Sequence, residues 1–186
     1  MDTKSKVSTS VAEKEVWTLD KAHSKIQFFA RHLIISEVAG HFNSFDINFA
    51  KGESLTDGEV EATIDVKGID TGITDRDNHL KSADFFDAEK FPQIKFKSSK
   101  IEKLNDEQYK FTGDLTIKNI TKPFVFDVSF GGQIKDPWGM QRSGFKATGT
   151  LNRFDYDLKW NILMETGGAV VGKNINITID AEFTKQ

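Results

Sequence analysis

Four histidines, His23, His32, His41 and His79, carry the side chains of this 186-residue chain best suited to proton or metal chemistry near neutral pH. None of their spacings matches H-x3-H or HExxH, the arrangements that put two imidazoles on one metal from a single element. Cysteine is absent, which excludes thiolate metal sites, disulfides, thiol nucleophiles and CxxC redox pairs together. The GxSxG elbow, the GxxxxGK[ST] phosphate loop and the GxGxxG dinucleotide turn are absent as well. The enzymatic alternative is a site gathered from separate elements, with His32, His79 and Asp77 around a metal, or acting as acid and base on a hydrophobic substrate. Arg31 and Arg153 lie near Asp155 and Asp157, and ion pairing is the ordinary reading for them. Asp84, Asp87 and Glu89 read as a solvated helix end.

Composition narrows the classes further. Lys and Arg number 25 against 28 Asp and Glu, a net charge of −3, so the basic excess that nucleic acids demand is missing. The longest apolar runs, such as Leu33-Ile34-Ile35 and Phe124-Val125-Phe126, fall far short of the ~20 residues that span a bilayer. With 16 Phe against 3 Trp and 2 Tyr, the aromatic area carries almost no polar handle.

The elements that would position these residues are mostly strands. Residues 1–15 are polar and read as a disordered lead without the apolar core of a secretory signal; residues 16–186 read as one domain. From Trp17 onward a period-two alternation recurs, the mark of strands with one buried face. The early apolar sets are Ile26/Phe28/Ala30, Phe45/Ile47/Phe49, Val60/Ala62/Ile64/Val66 and Ile94/Phe96. The later ones are Phe111/Gly113/Leu115/Ile117, Phe124/Phe126/Val128/Phe130, Phe145/Ala147/Gly149/Leu151 and Ile175/Ile177/Ile179/Ala181/Phe183.

Two helical segments are expected between them. One is a short turn through Ile34 and Val38 with Gly40 as a left-handed cap. The other runs from Thr74 to Phe91, opened by a Thr74/Asp77 capping box and stopped by Pro92, with His79, Ala83 and Phe86 on its inward face. Residues 152–173, with little strand signal, read as a lid or binding loop.

Eight amphipathic strands with so little helix must cover their own apolar face. The expected fold is an all-β, eight-stranded antiparallel, lipocalin-like barrel with one or two short helices near its mouth. Small inward residues, Ala30, Ala62, Gly113, Ala147, Gly149 and Ala181, either leave a cavity or fit a tapering, filled core; periodicity leaves both open. Likewise His32, in register with the first strand, and His79 are either satisfied structural histidines at the mouth or contacts for a ligand's polar head.

Strings from Trp17 to the end of the chain resemble the YceI-like family of lipid-binding proteins. They are Phe28-Phe29-Ala30-Arg31-His32-Leu33, the spaced Ser36, Val38, Gly40 and Phe42, and, most specific, Asp75-Arg76-Asp77-Asn78-His79-Leu80-Lys81-Ser82-Ala83-Asp84-Phe85-Phe86-Asp87. Gly113-Asp114-Leu115-Thr116-Ile117 with Thr121-Lys122-Pro123, and Asn152-Arg153-Phe154-Asp155-Tyr156, extend the match. Lys81 replaces a common arginine, while Asn119 and Asp157 replace frequent glycines and tolerate the left-handed backbone expected there.

The resemblance implies a barrel that accommodates a long isoprenoid chain, such as a polyprenyl or quinone-like lipid, in some members as a homodimer. The expected activity is non-enzymatic binding, sequestration or transport, with the lipid as ligand and no cofactor or metal. Tail contacts fall to Phe28, Ala30, Phe45, Ile47, Val60, Phe111, Phe126 and Val128, with Leu80 and Phe86 closing one side and the head near His32 and His79. As written, the chain is expected in the cytoplasm; a removed leader would place it in the periplasm, where family members are often found.

Overall fold

The computed structural model describes residues 14–162 and 170–185. Its elements are β1 (Glu15–Leu19), β2 (Lys25–His32), β3 (Ser36–Phe42), β4 (Phe45–Lys51), β5 (Glu59–Asp65), β6 (Ile69–Asp70), α1 (Thr74–Lys81), β7 (Gln93–Lys103), β8 (Gln108–Ile117), β9 (Ile120–Lys135), β10 (Gln141–Asn152) and β11 (Val171–Lys185). The alternation explains the strands. In β8, Tyr109, Phe111, Gly113, Leu115 and Ile117 are buried while Asp114 faces water. Register is held because a one-residue slip would turn that whole row outward.

All strand pairs are antiparallel, and β1 bonds both β4 and β11, closing a ring of eight in the order β1-β4-β5-β7-β8-β9-β10-β11. The predicted barrel is present, with one member exchanged. The strand of Ile26, Phe28 and Ala30, β2, lies above β1 along the same edge of β11: Leu19 faces Phe183, Ile26 faces Ile179 and Ala30 faces Ile175. The step between them is a single 3-10 turn, Lys21–His23, capped by Asp20, whose carboxylate accepts from the Ala22 N–H. On the neighbouring strand β3 gives way to β4 at the same height, through Asn43 and Ser44. Above the step β3 bonds β6 at His41 and Phe42, and α1 with the turns after it fills the remaining arc, Phe86 meeting Phe42 edge-on at 6.5 Å between centroids.

Several local expectations are corrected. No helix forms through Ile34 and Val38: Leu33, Ile34 and Ile35 make the β2–β3 turn, the first two in left-handed backbone, and Gly40 lies within β3 opposite Phe28. The ring of Phe28 occupies the space a side chain at Gly40 would need, with Cζ 2.3 Å from the position of a Cβ. Helix α1 stops at Lys81 because the Ser82 hydroxyl donates to the His79 carbonyl and the chain turns through Asp87 at φ 50°. Phe85 is therefore buried and Ala83 exposed.

The Thr74/Asp77 capping box does not form, since Asp77 accepts from the backbone N–H and hydroxyl of Thr71 and braces the preceding turn. Asp84, Asp87 and Glu89 lie beyond the helix, paired with His79, Lys90 and Lys67. In the β8–β9 turn the left-handed residue is Lys118, not Asn119, whereas Asp157 is left-handed at φ 58°. Of the stretch 152–173, β11 already begins at Val171; Gly167 and Gly168 lie outside the described residues. Of the lead, 1–13 lies outside them too, and Glu15 already belongs to β1.

At the barrel end away from α1, one arginine ties the ring together. Arg142 Nη1 donates to Asp20 at 2.9 Å and Glu182 at 2.5 Å, and its Nε to Asp136 at 2.8 Å. The bond from Arg142 holds the Asp136 carboxyl below its ordinary range, and the bond with His23 does the same for Asp20. Lowered folded-state values mean that the unfolded chain takes up protons first on acidification, so this stabilisation is complete above about pH 4 and lost as pH falls through the folded-state values. Asp136→Asn is expected to lower the urea midpoint near pH 6 and to flatten its decline toward pH 3 relative to the parent protein. Parallel curves would show that Asp136 has no part in the acid response.

Candidate functional site

The barrel encloses a cavity of about 550 Å³, within the range of small-molecule sites. Its floor is an aromatic cluster in which the Phe49 ring lies 5.4 Å from Phe145 and 5.3 Å from Phe183, and Phe130 lies 5.1 Å from Phe145. Its waist is aliphatic and phenyl surface from Ile47, Val60, Phe96, Phe111, Phe126 and Val128. Polar groups enter at the α1 end, where Thr71, Asp75, Arg76 and His79 join Trp160 and Val170 around the mouth.

The small inward residues divide between the two readings. Ala30, Ala62, Ala147 and Ala181 border open space. The glycines do not. A Cβ on Gly113 would lie 2.7 Å from the Phe96 ring and 2.2 Å from the Lys97 carbonyl oxygen, and one on Gly149 would lie 2.7 Å from Phe124. Phenyl rings fill the glycine sites, and the alanines leave the hollow.

Of the predicted contacts, Phe28, Ala30, His32, Ile47, Val60, His79, Leu80, Phe86, Phe111, Phe126 and Val128 all border the cavity. Phe45 does not. It opens β4 at the step, opposite Ile64, where it is half-buried against the core. Period two gave Phe45 the same face as Ile47, but the break at Asn43 and Ser44 takes the strand end out of the cavity wall. Sequence reasoning missed Trp160, Leu158 and Phe85. The first two carry a short period-two signal, while Phe85 was hidden by the assumption that α1 continues.

The His79 Nε2 lies 3.0 Å from a carboxylate oxygen of Asp84, and its ring meets Trp160 edge-on at 4.7 Å and Phe85 at 5.1 Å. The imidazole is therefore fixed in place at the cavity rim. The grouping of His32, His79 and Asp77 does not assemble, since Asp77 is spent on Thr71 and His79 on Asp84. Among the described residues the His and carboxylate group with metal-binding reach is Asp20, His23 and Glu182, which lies outside the cavity and is occupied by the Arg142 guanidinium.

Arg153 is the charged residue of the cavity wall that sequence reasoning misplaced. It is 2% exposed and pairs with neither Asp155 nor Asp157, which face Lys122, Lys118 and Lys159 instead. Its guanidinium donates to the carbonyls of Leu158, of Trp160 and Gly172 at 2.9 Å each, and of Val171 at 3.2 Å. Burial pushes its pKa below the ordinary arginine value. These bonds join the turn after β10, the Trp160 segment and the start of β11, and so set the shape of the mouth.

Comparison with known proteins agrees with this geometry. A UPF0312 protein of Staphylococcus epidermidis is 42% identical over 170 residues, 90% of this chain and 96% of that protein. One from Staphylococcus aureus is 40% identical over 171 residues, with the same coverage. Among solved structures, the Campylobacter jejuni YCEI protein shares 28% identity at a TM-score of 0.70, covering 100% of this chain and 98% of that one. Two more distant structures show the same fold. Burkholderia cenocepacia BcnA has 22% identity and a TM-score of 0.77, covering 88% of this chain and 98% of its own. A polyisoprenoid binding domain from Saccharophagus degradans has 11% identity and a TM-score of 0.65, covering 91% and 98%. With the YceI-like domain model matching residues 17–183, nearly the whole closed ring and its cavity, the chain belongs to the YceI-like domain family.

Proposed function

We propose that the protein binds one isoprenoid-type lipid, polyprenyl or quinone-like, and sequesters or carries it without altering it. The tail lies along the phenyl- and aliphatic-lined hollow, and the head sits at the mouth beside His32, His79 and Trp160. The observation that carries this reading is the cavity itself: about 550 Å³, predominantly apolar, with its charged side chains gathered at the α1 end. Each buried methylene contributes roughly 0.8 kcal/mol, so about ten contribute up to ~8 kcal/mol before the cost of ordering the chain is subtracted. Affinity then follows tail length more than head chemistry. The similarity in fold to a polyisoprenoid binding domain supports the choice of lipid class.

Organic extraction of the purified protein followed by mass spectrometry tests the reading, with an isoprenoid-type lipid expected in the extract. A lipid-free extract, together with no uptake of an added polyprenol, would overturn it. Ala62→Phe and Ala147→Phe place a ring in the open space beside each alanine. Both are expected to cut lipid occupancy at least tenfold while the thermal midpoint holds or rises. A filled core predicts the opposite stability result, a loss of about 1–3 kcal/mol from overpacking.

A further inference from the structure

Among the described residues, six of the eleven large apolar side chains left in water lie at the mouth. Leu33, Ile34 and Ile35 at the β2–β3 turn are 36%, 61% and 84% exposed, and Ile162 is 56% exposed. Ile73 before α1 and Phe154 after β10 are exposed at the same end. The turn and its neighbours form one continuous rim: the Leu33 N–H donates to the Val170 carbonyl at 2.9 Å, and the Val170 N–H to the Ile162 carbonyl at 3.0 Å. Val170 also borders the cavity, so the rim runs into the apolar interior.

The turn is built against local preference. Leu33 has φ 52° and Ile34 φ 69°, a left-handed backbone that favours glycine, asparagine and aspartate and that a β-branched side chain resists. A three-residue hairpin loop selected only for folding would carry glycine or asparagine at its left-handed positions. Strain held at an exposed apolar tip that adds nothing to the core points to a task outside the fold. At its foot Arg31 and Lys173 are exposed, with no ion-pair partner among the described residues. Glu37, opposite Arg31 in the β2–β3 register, offsets one of these charges. The acids Asp84, Asp155 and Asp157 at this end are engaged by His79, Lys122, Lys118 and Lys159, and Asp75, exposed at the mouth, is offset in charge by the neighbouring Arg76.

We propose that this rim inserts into the interface of a lipid bilayer carrying anionic headgroups, seating the cavity mouth on the membrane so that a long-chain lipid passes between bilayer and barrel without crossing water. The passage of lipid rests on the function proposed above; the membrane seating does not. A projecting turn of branched aliphatic side chains flanked by cations suits a fluid acyl interior under a negative surface. A second rigid copy would need an apolar groove to receive it, and among the described residues the apolar hollow is the cavity itself.

Sedimentation of the full chain with vesicles of phosphatidylcholine, alone or mixed with phosphatidylglycerol, tests the seating. Binding to the mixed vesicles is expected. Ile34→Asn together with Ile35→Asn is expected to reduce partitioning at least about tenfold, from the apolar area withdrawn. The thermal midpoint should stay level or rise, because asparagine suits the left-handed position at residue 34. Arg31→Gln with Lys173→Gln is expected to weaken binding to the mixed vesicles and leave binding to phosphatidylcholine unchanged. Failure of the parent protein to sediment with either vesicle, or equal sedimentation of the double asparagine variant, overturns the proposal. So does a concentration-dependent dimer abolished by that variant without vesicle binding, which makes the rim a self-association surface. Extraction of the same sample separates the two readings. Lipid present without vesicle binding rejects the membrane seat alone. Vesicle binding by a lipid-free protein that takes up no polyprenol rejects the carriage alone.

Discussion

Arg153→Met should unfold at a markedly lower urea concentration than the parent protein, with a loss of roughly 3–5 kcal/mol. The methionine keeps the apolar stem but removes every donor, leaving the carbonyls of Leu158, Trp160 and Gly172 without their side-chain partner, while Val171 keeps the Asn161 amide. Each buried polar group left unsatisfied costs about 1–3 kcal/mol, partly relieved where relaxation or water reaches the mouth. Against a total stability of about 5–15 kcal/mol this is a large share. The loss should concentrate at the mouth, so amide exchange of Val171 and its neighbours is expected to accelerate while β7 and β8 remain protected. Arg153→Lys restores charge without the planar fork that reaches carbonyls on both sides, and should recover only a minor part. A Met variant within about 0.5 kcal/mol of the parent protein, the size of an ordinary surface substitution, would show that these bonds do not hold the mouth.

Phe126→Asp should eliminate lipid from the purified protein. The Phe126 ring packs edge-on against Phe96 at 5.2 Å and Phe124 at 4.8 Å, borders the cavity and faces Phe111 across the β8–β9 ladder. An aspartate there removes about 1.5–3 kcal/mol of apolar burial and sets a carboxyl group beside an alkyl chain, where only water can satisfy it. Water drawn into the waist competes with the tail for the same volume, and occupancy should fall below a tenth of the parent value by mass spectrometry. Phe126→Leu, which preserves the apolar wall, serves as the folded control and should retain lipid. A folded Asp variant that still carries lipid at the parent level would remove Phe126 from the site.

The strands were legible because each presents one face to water, so the alternation of Glu59, Glu61 and Thr63 with Val60, Ala62 and Ile64 is written directly in the chain. Strand β1 was harder to see, since only Trp17 and Leu19 point inward and the pattern stops before it can repeat. In β3 the inward row runs Val38, Gly40, Phe42, and glycine reads as an interruption unless it is known that a phenyl ring from β2 lies above it. The length of α1 depends on the hydroxyl of Ser82 and the backbone of Asp87, neither of which alters the apolar spacing. Arg153 shows a different limit. Nearby acids invited an ion-pair reading, whereas its partners are carbonyl oxygens, which every residue carries and no sequence pattern marks.

Closure of the ring through Thr18 and Thr184 has a consequence for biosynthesis. The first and last strands of the barrel are neighbours, so the hairpins from β7 to β10 can form as the ribosome releases them, but the final ladder must wait for residues some 166 positions downstream of its partner. Until then the phenyl-lined inner face stands open along one edge. The nascent chain passes through an interval in which a chaperone, or a greasy guest arriving early, meets the future interior directly.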